Sequence, residues 1–160
     1  TPGAYASPYG RPAKGTFTRL HHAGFVTDDL ERARHLFCDV FGLKVDESRS
    51  PLPHGRPASD NVRILDIPIG ESEIEVSCPQ DEASGTARFL ASRGGKGIFQ
   101  HHVCLYSEDI EGDVARLKAA GLQQIGELRP PTPGRPRVAW FHPRSCQGVL
   151  VEVWHDVPAR

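Results

Sequence analysis

Apolar and polar positions change period along this chain, and the changes mark its elements. Residues 18–27 read as a strand. Beyond Asp28 and Asp29, the residues Leu30, Ala33, Phe37 and Val40 recur at helical steps and share one face. That spacing predicts a helix capped by Asp28 or Asp29, running to about Phe41 and ended by Gly42. Short strands are predicted at 43–47, 62–68 and 72–78. Between the first two lies a proline-rich loop, residues 48–60 (SRSPLPHGRPASD). Loops of that length in compact domains are uncommon and often functional. Residues 81–92 predict a linking helix, broken by the glycines that follow. Residues 1–16 (TPGAYASPYGRPAKGT) show no apolar period and read as a loose tail.

The pattern then repeats. A strand is predicted at 98–106, a cap at Asp109, a helix at 110–120 and strands at 122–127, 137–141 and 148–153. Gly121 ends the second helix as Gly42 ends the first. His22-Ala-Gly-Phe-Val-Thr-Asp-Asp-Leu lies over His102-Val-Cys-Leu-Tyr-Ser-Glu-Asp-Ile with the His, the second Asp and the following apolar residue in register. The closing strands agree as well, Ile74-Glu75-Val76 against Val151-Glu152-Val153. The chain therefore reads as an α+β fold of paired βαβββ modules, an internal duplication. The expected organisation is a tail over 1–16, a first module over 17–80, a helix and Gly-rich turn over 81–97 and a second module over 98–160. Residues 17–160 would form one compact unit around a cleft.

Each module carries a His on its first strand and a Glu on its last. A strand alternates its faces, so His21 and His22 are expected to point opposite ways, as are His101 and His102. Glu75 and Glu152 have apolar neighbours; if those face the helices, both carboxylates face the concave side. A carboxylate aimed from a sheet into a cavity needs a partner, because an unpaired buried charge is costly. Taken singly, each of these residues is an ordinary satisfied or solvated polar position. Their recurrence in both modules points to a divalent metal, and two imidazoles with two carboxylates suit Mn, Co, Ni, Zn or Fe(II).

Composition narrows the alternatives. The 160 residues are 38% hydrophobic and 24% charged, ordinary globular usage, with a formal net charge of −1. That balance argues against a nucleic-acid binder, and no apolar run is long enough to span a membrane. Cys38, Cys78, Cys104 and Cys146 lie far apart, without a C-x-x-C pair. They read as reduced thiols in a cytosol-like compartment.

Four segments carry a family resemblance: His22 to Leu30, Ile74-Glu-Val-Ser-Cys-Pro79, His101-His-Val-Cys-Leu, and Ala139-Trp-Phe-His-Pro-Arg-Ser-Cys-Gln-Gly-Val-Leu-Val-Glu-Val153. On these the chain resembles the vicinal oxygen chelate (glyoxalase/bleomycin resistance/dioxygenase) superfamily, and within it the methylmalonyl-CoA epimerases. The resemblance spans roughly residues 19–154. It implies paired modules around one divalent metal held by His22, Glu75, His102 and Glu152. It also implies epimerisation of methylmalonyl-CoA, or a close acyl-CoA relative, through a metal-stabilised enolate. An acidic base is expected after the first helix; Glu47 and Asp60 are the candidates there, with Glu152 as a further catalytic carboxylate. Arg137 and Arg144, part of a basic cluster with Arg129 and Arg135, would meet CoA phosphates or else form a solvated face. The alternatives are a glyoxalase I-like lactoylglutathione lyase, an Fe(II) oxygenase, and a non-catalytic small-molecule binder. The expected partners are a small acyl-CoA and a second copy of the chain, with no nucleic acid or membrane. The expected location is the cytoplasm, or the mitochondrial matrix in a eukaryote.

Overall fold

The computed structural model describes residues 16–160; the rest of the expected tail lies outside the described residues. Two strands run antiparallel down the centre of the sheet: β1 (Phe17–Thr27) and β5 (Ile98–Ser107). Beside β1 come β4 (Ser72–Pro79), β3 (Val62–Ile69) and β2 (Arg56–Ala58). Beside β5 come β8 (Val151–His155), β7 (Arg137–Phe141) and β6 (Gln124–Ile125). The result is one curled eight-stranded sheet, ordered β2-β3-β4-β1-β5-β8-β7-β6. The first strand of each half pairs in parallel with the last strand of that half, β1 with β4 and β5 with β8. The duplication read from the sequence is thus a pseudo-twofold relation, and the β1–β5 pair is its seam.

Among the described residues three α-helices complete the fold: α1 (Leu30–Arg34), α2 (Gly85–Ser92) and α3 (Ile110–Ala119). Asp29 caps α1 and Asp109 caps α3, each carboxylate accepting backbone N–H groups of the first turn. Ala33 and Phe37 pack on Leu65, Ile67 and Val76. In the second half, Ile110 and Val114 pack on Ala139, Phe141 and Val153. Because Leu65, Ile67, Val76 and Val153 are committed to these two cores, strand alternation turns Asp66, Glu75 and Glu152 to the other, concave face. Burying the apolar faces under helices is what aims the carboxylates into the cleft.

Several elements differ from expectation. Residues 43–47 form no strand; Leu43 and Val45 instead pack beside the first core, and the Asp46 N–H donates to the Asp66 carbonyl. The strand slot is filled by β2, which arises inside the proline-rich segment. The first helix starts at its expected cap, but from His35 to Val40 it widens into π-helical turns, with the Phe41 N–H reaching the Leu36 carbonyl. β8 starts later than expected because Gln147 and Gly148 adopt positive φ in the preceding turn. No helix among the described residues is long and apolar enough to cross a membrane, and all four cysteines are free.

One buried carboxylate ties the second half together. Asp113, 2% exposed, accepts hydrogen bonds from the Thr16 N–H and hydroxyl, the Ser107 hydroxyl and Arg116. Burial opposes its ionisation, but these donors outweigh burial and lower its pKa below the usual 3.8. A carboxylate with a depressed folded pKa contributes stability above its unfolded pKa and loses it as pH falls through the folded value. Asp113→Ala is therefore expected to cost about 2 kcal/mol at neutral pH, since it strands buried donors. The difference from wild type should shrink as pH falls below 3.8, and urea unfolding across that range measures it. A pH-independent difference would show that the carboxylate's charge is not what matters.

Candidate metal centre

The seam between β1 and β5 brings the four singled-out residues to one point. The Nε2 atoms of His22 and His102 lie 2.9 Å apart. Glu152 Oε2 is 3.1 Å from each of them, and Glu75 Oε2 is 3.7 Å from His22 Nε2. His22, His102 and Glu152 are buried, whereas Glu75 forms part of the floor of an open cleft of about 590 Å³.

Strand irregularity builds this cluster. Along β1, Leu20 and His22 pair with the consecutive residues Leu105 and Cys104, so His21 is an extra residue at a β-bulge. Along β5, His102 and Gln100 face the consecutive residues Gly24 and Phe25, so His101 is the matching extra residue. A bulge locally breaks the two-residue alternation. This corrects the expectation that the paired histidines point to opposite faces. His21 Nδ1 lies 2.8 Å from His22 Nδ1, and His101 Nδ1 lies 2.9 Å from His102 Nδ1. Each inner ring is held by its sequence neighbour, which fixes its orientation. With the Nδ1 side engaged by the neighbouring ring, each inner Nε2 is the atom turned to Glu152. His21 is further stacked on Trp154, and His101 packs edge-on against Phe89.

Gly24 is a further part of the site, unread in the sequence. It lies opposite His102 in the β1–β5 register, and a Cβ there would overlap the His102 ring. The equivalent position in the second half is Cys104, opposite His22 and fully buried. Burial and the Glu152 and Glu75 charges raise the Cys104 pKa, keeping it a thiol.

The electrostatics are those of a buried cluster in which carboxylates and imidazoles shift one another. Burial opposes ionisation of Glu152, but hydrogen bonds from His102 and His22 outweigh it and hold its pKa at about 2. Burial opposes charge on His22 too, and there the Glu152 hydrogen bond and the Glu75 charge prevail and raise its pKa. Burial pushes Glu75 up against the pull of His22, and the nearby Glu152 charge adds to it. Burial, then the adjacent His102, lowers His101 to about 4; burial, then His22 and Arg19, lowers His21. Two facing Nε2 atoms and a carboxylate oxygen carry more lone pairs than shared protons can satisfy. Two imidazoles and two carboxylates suit a divalent first-row cation or Zn, so the residues present fit one.

Residues 21–139 match the Glyoxalase/Bleomycin resistance protein/Dioxygenase superfamily. The chain belongs to that superfamily. The mitochondrial methylmalonyl-CoA epimerase of Homo sapiens is 31% identical over 137 residues, 84% of this chain and 72% of its own length. The ethylmalonyl-CoA/methylmalonyl-CoA epimerase of Cereibacter sphaeroides is 33% identical over 137 residues, 84% of this chain and 96% of its own. Among solved structures, the methylmalonyl-CoA epimerase of Mycobacterium tuberculosis shares the fold, with a TM-score of 0.74 at 23% identity over 92% of this chain and 94% of its own. The paired-module α+β fold expected from the repeat is the fold of this superfamily.

The other residues singled out from the sequence lie elsewhere. Asp60 accepts from the Gly85 and Thr86 N–H groups and the Thr86 hydroxyl, anchoring the start of α2. Glu47 is exposed in the turn that carries Arg49. Arg137 donates to the Arg129 carbonyl and to Glu111, and Arg144 is exposed in a short 3-10 turn. Among the described residues none of these four lines the cleft. Its cations are instead Arg19, Arg49 and Arg56, which sequence reasoning missed. The one signal for Arg56 was Asp66, a charged residue inside the otherwise apolar run 64–69 of β3.

Gly24→Ala tests the geometry without touching a ligand. It is expected to displace the His102 ring and weaken Co(II) binding, titrated against a chromophoric chelator, by about tenfold or more. Circular dichroism should be unchanged. Unaltered affinity would mean that His102 is not confined by β1.

Proposed function

We propose that this chain is a divalent-metal-dependent isomerase that epimerises methylmalonyl-CoA or a close acyl-CoA relative. The observation that carries the reading is the convergence of His22 and His102 on Glu152, with Glu75 at the cleft floor. Its epimerase relatives support the choice of substrate. His22, Glu75, His102 and Glu152 would hold the ion. When bound, a divalent cation supplies Lewis-acid stabilisation for the negative charge that develops on a thioester as its α-proton leaves.

The remaining work belongs to the chain's own side chains. His21 and His101 hold the two inner rings in one orientation, so the site is organised before substrate arrives. Trp154 and His21 form an aromatic wall beside Glu75, shielding that side of the reacting carbon. Inverting a carbon requires that a proton be removed and returned. Of the two loop carboxylates, Asp60 is engaged by α2 while Glu47 is free. Glu47 does not line the cleft and is proposed for proton transfer on the family resemblance alone, with Glu152 as ligand. A cytoplasmic or matrix location and a homodimer belong to the same reading.

The test is deuterium wash-in. Protein loaded with Co(II) or Mn(II) is incubated with methylmalonyl-CoA in D₂O, and the thioester mass is followed. Gain of one deuterium is expected. His102→Ala or chelation should slow it by about 100-fold or more, and Glu47→Gln should slow it with metal content unchanged. No gain above background from metal-loaded protein would overturn the epimerase reading. Turnover of the methylglyoxal–glutathione adduct would then point to a lyase.

A further inference from the structure

Asp66 and Glu75 are direct cross-strand neighbours on β3 and β4. Like charges in that position are destabilising unless a cation lies between them. Arg56, reaching over from β2, is that cation. Its Nε donates to Asp66 Oδ2 at 2.6 Å and its Nη2 to Asp66 Oδ1 at 3.0 Å, a two-point fork. Nη2 also lies 3.7 Å from Glu75 Oε2. Asp66 is itself held rigid: it is 1% exposed, accepts from the buried Ser50 hydroxyl at 2.6 Å, and its own N–H donates back to Ser50.

Charge neutralisation accounts for two of the three guanidinium nitrogens. The third, Nη1, has no hydrogen-bond partner among the described residues, although Arg56 lines the cleft. The other cleft arginines are differently placed. Arg49 is consumed by Asp46 and Glu73. Arg19 is stacked on Tyr106 and donates to the Glu71 carbonyl. Glu71, Glu73 and Asp156 also line the cleft and repel an anion from their parts of its wall.

Building on the epimerase reading above, we propose that Arg56, braced by Asp66 and Ser50, receives the free carboxylate of the acyl-CoA substrate through Nη1 and so selects α-carboxylated thioesters. The contact fixes which substituent of the reacting carbon lies toward β2. The thioester is then directed toward the His22–His102 seam. A guanidinium pre-oriented by a buried fork loses little entropy on binding a carboxylate.

The test compares malonyl-CoA with propionyl-CoA, which lacks the carboxylate, in binding to metal-loaded wild type, Arg56→Met and Arg56→Lys. Metal content is measured in parallel. Arg56→Met should weaken malonyl-CoA binding by roughly 10- to 100-fold and leave propionyl-CoA binding within about threefold. Arg56→Lys should recover part of the loss, keeping the charge without the fork. A merely structural Arg56 would lower both ligands equally, or lower the metal content of both variants; either result overturns the proposal, as does unchanged malonyl-CoA affinity. The two readings fail separately. A wild type that prefers malonyl-CoA but does not exchange deuterium keeps the carboxylate site and loses the epimerase. A wild type that exchanges while Arg56→Met retains malonyl-CoA affinity loses only the Arg56 assignment.

Discussion

The structure turns on two imidazole nitrogens held 2.9 Å apart beneath a carboxylate. At that distance one ring can donate a proton to the other, and both Nε2 atoms lie 3.1 Å from Glu152 Oε2. They are held there by the β1–β5 seam, by the bulges that place His21 and His101 behind them, and by the two cores that pin the flanking strands. The Glu152 charge relieves part of the crowding through shared protons. Two imidazoles and two carboxylates gathered in this way make a donor set that fits a divalent cation.

The halves are alike in framework and unlike in detail, and the differences are where chemistry enters. Gly24 makes room for the His102 ring, while its counterpart Cys104 fills the equivalent space beside His22. The first half carries the Ser50–Asp66–Arg56 brace. The β7 position corresponding to Asp66 carries Trp140, which faces Glu152 across the β7–β8 ladder as Asp66 faces Glu75. The side of the cluster toward β3 is thus ionic, while on the side toward β7 Trp140 is set edge-on against His102. A duplicated scaffold supplies a symmetric set of two histidines and two glutamates, and divergence of the two halves makes the surroundings of that set unequal.

Much of the fold was legible because it rests on local signals. The caps Asp29 and Asp109, the glycines that end the helices and the alternation in β3, β4 and β7 are local chemistry that acts wherever those residues occur. The strand expected at 43–47 failed for a related reason. Leu43 and Val45 alternate as strand residues do, but their burial against α1 satisfies the same pattern without a ladder. Periodicity reports which side chains are buried and is silent on the backbone's partner. The widening of the first helix at His35–Val40 carried no sequence signal at all.

By itself, the sequence determined which polar residues recur in both halves. The repeat placed a His and a Glu at matching points of two modules, and alternation next to apolar residues aimed both carboxylates at a common face. Tertiary structure alone decided what surrounds them. The bulges that turn His21 and His101 toward the inner rings are a property of the register between β1 and β5, which neither strand carries separately. The cleft cations are Arg19, Arg49 and Arg56, not Arg137 and Arg144, because cross-strand neighbours pair charges that lie far apart in the chain. Repetition is written in one dimension, but the field at a site is set by whichever charges the sheet brings side by side.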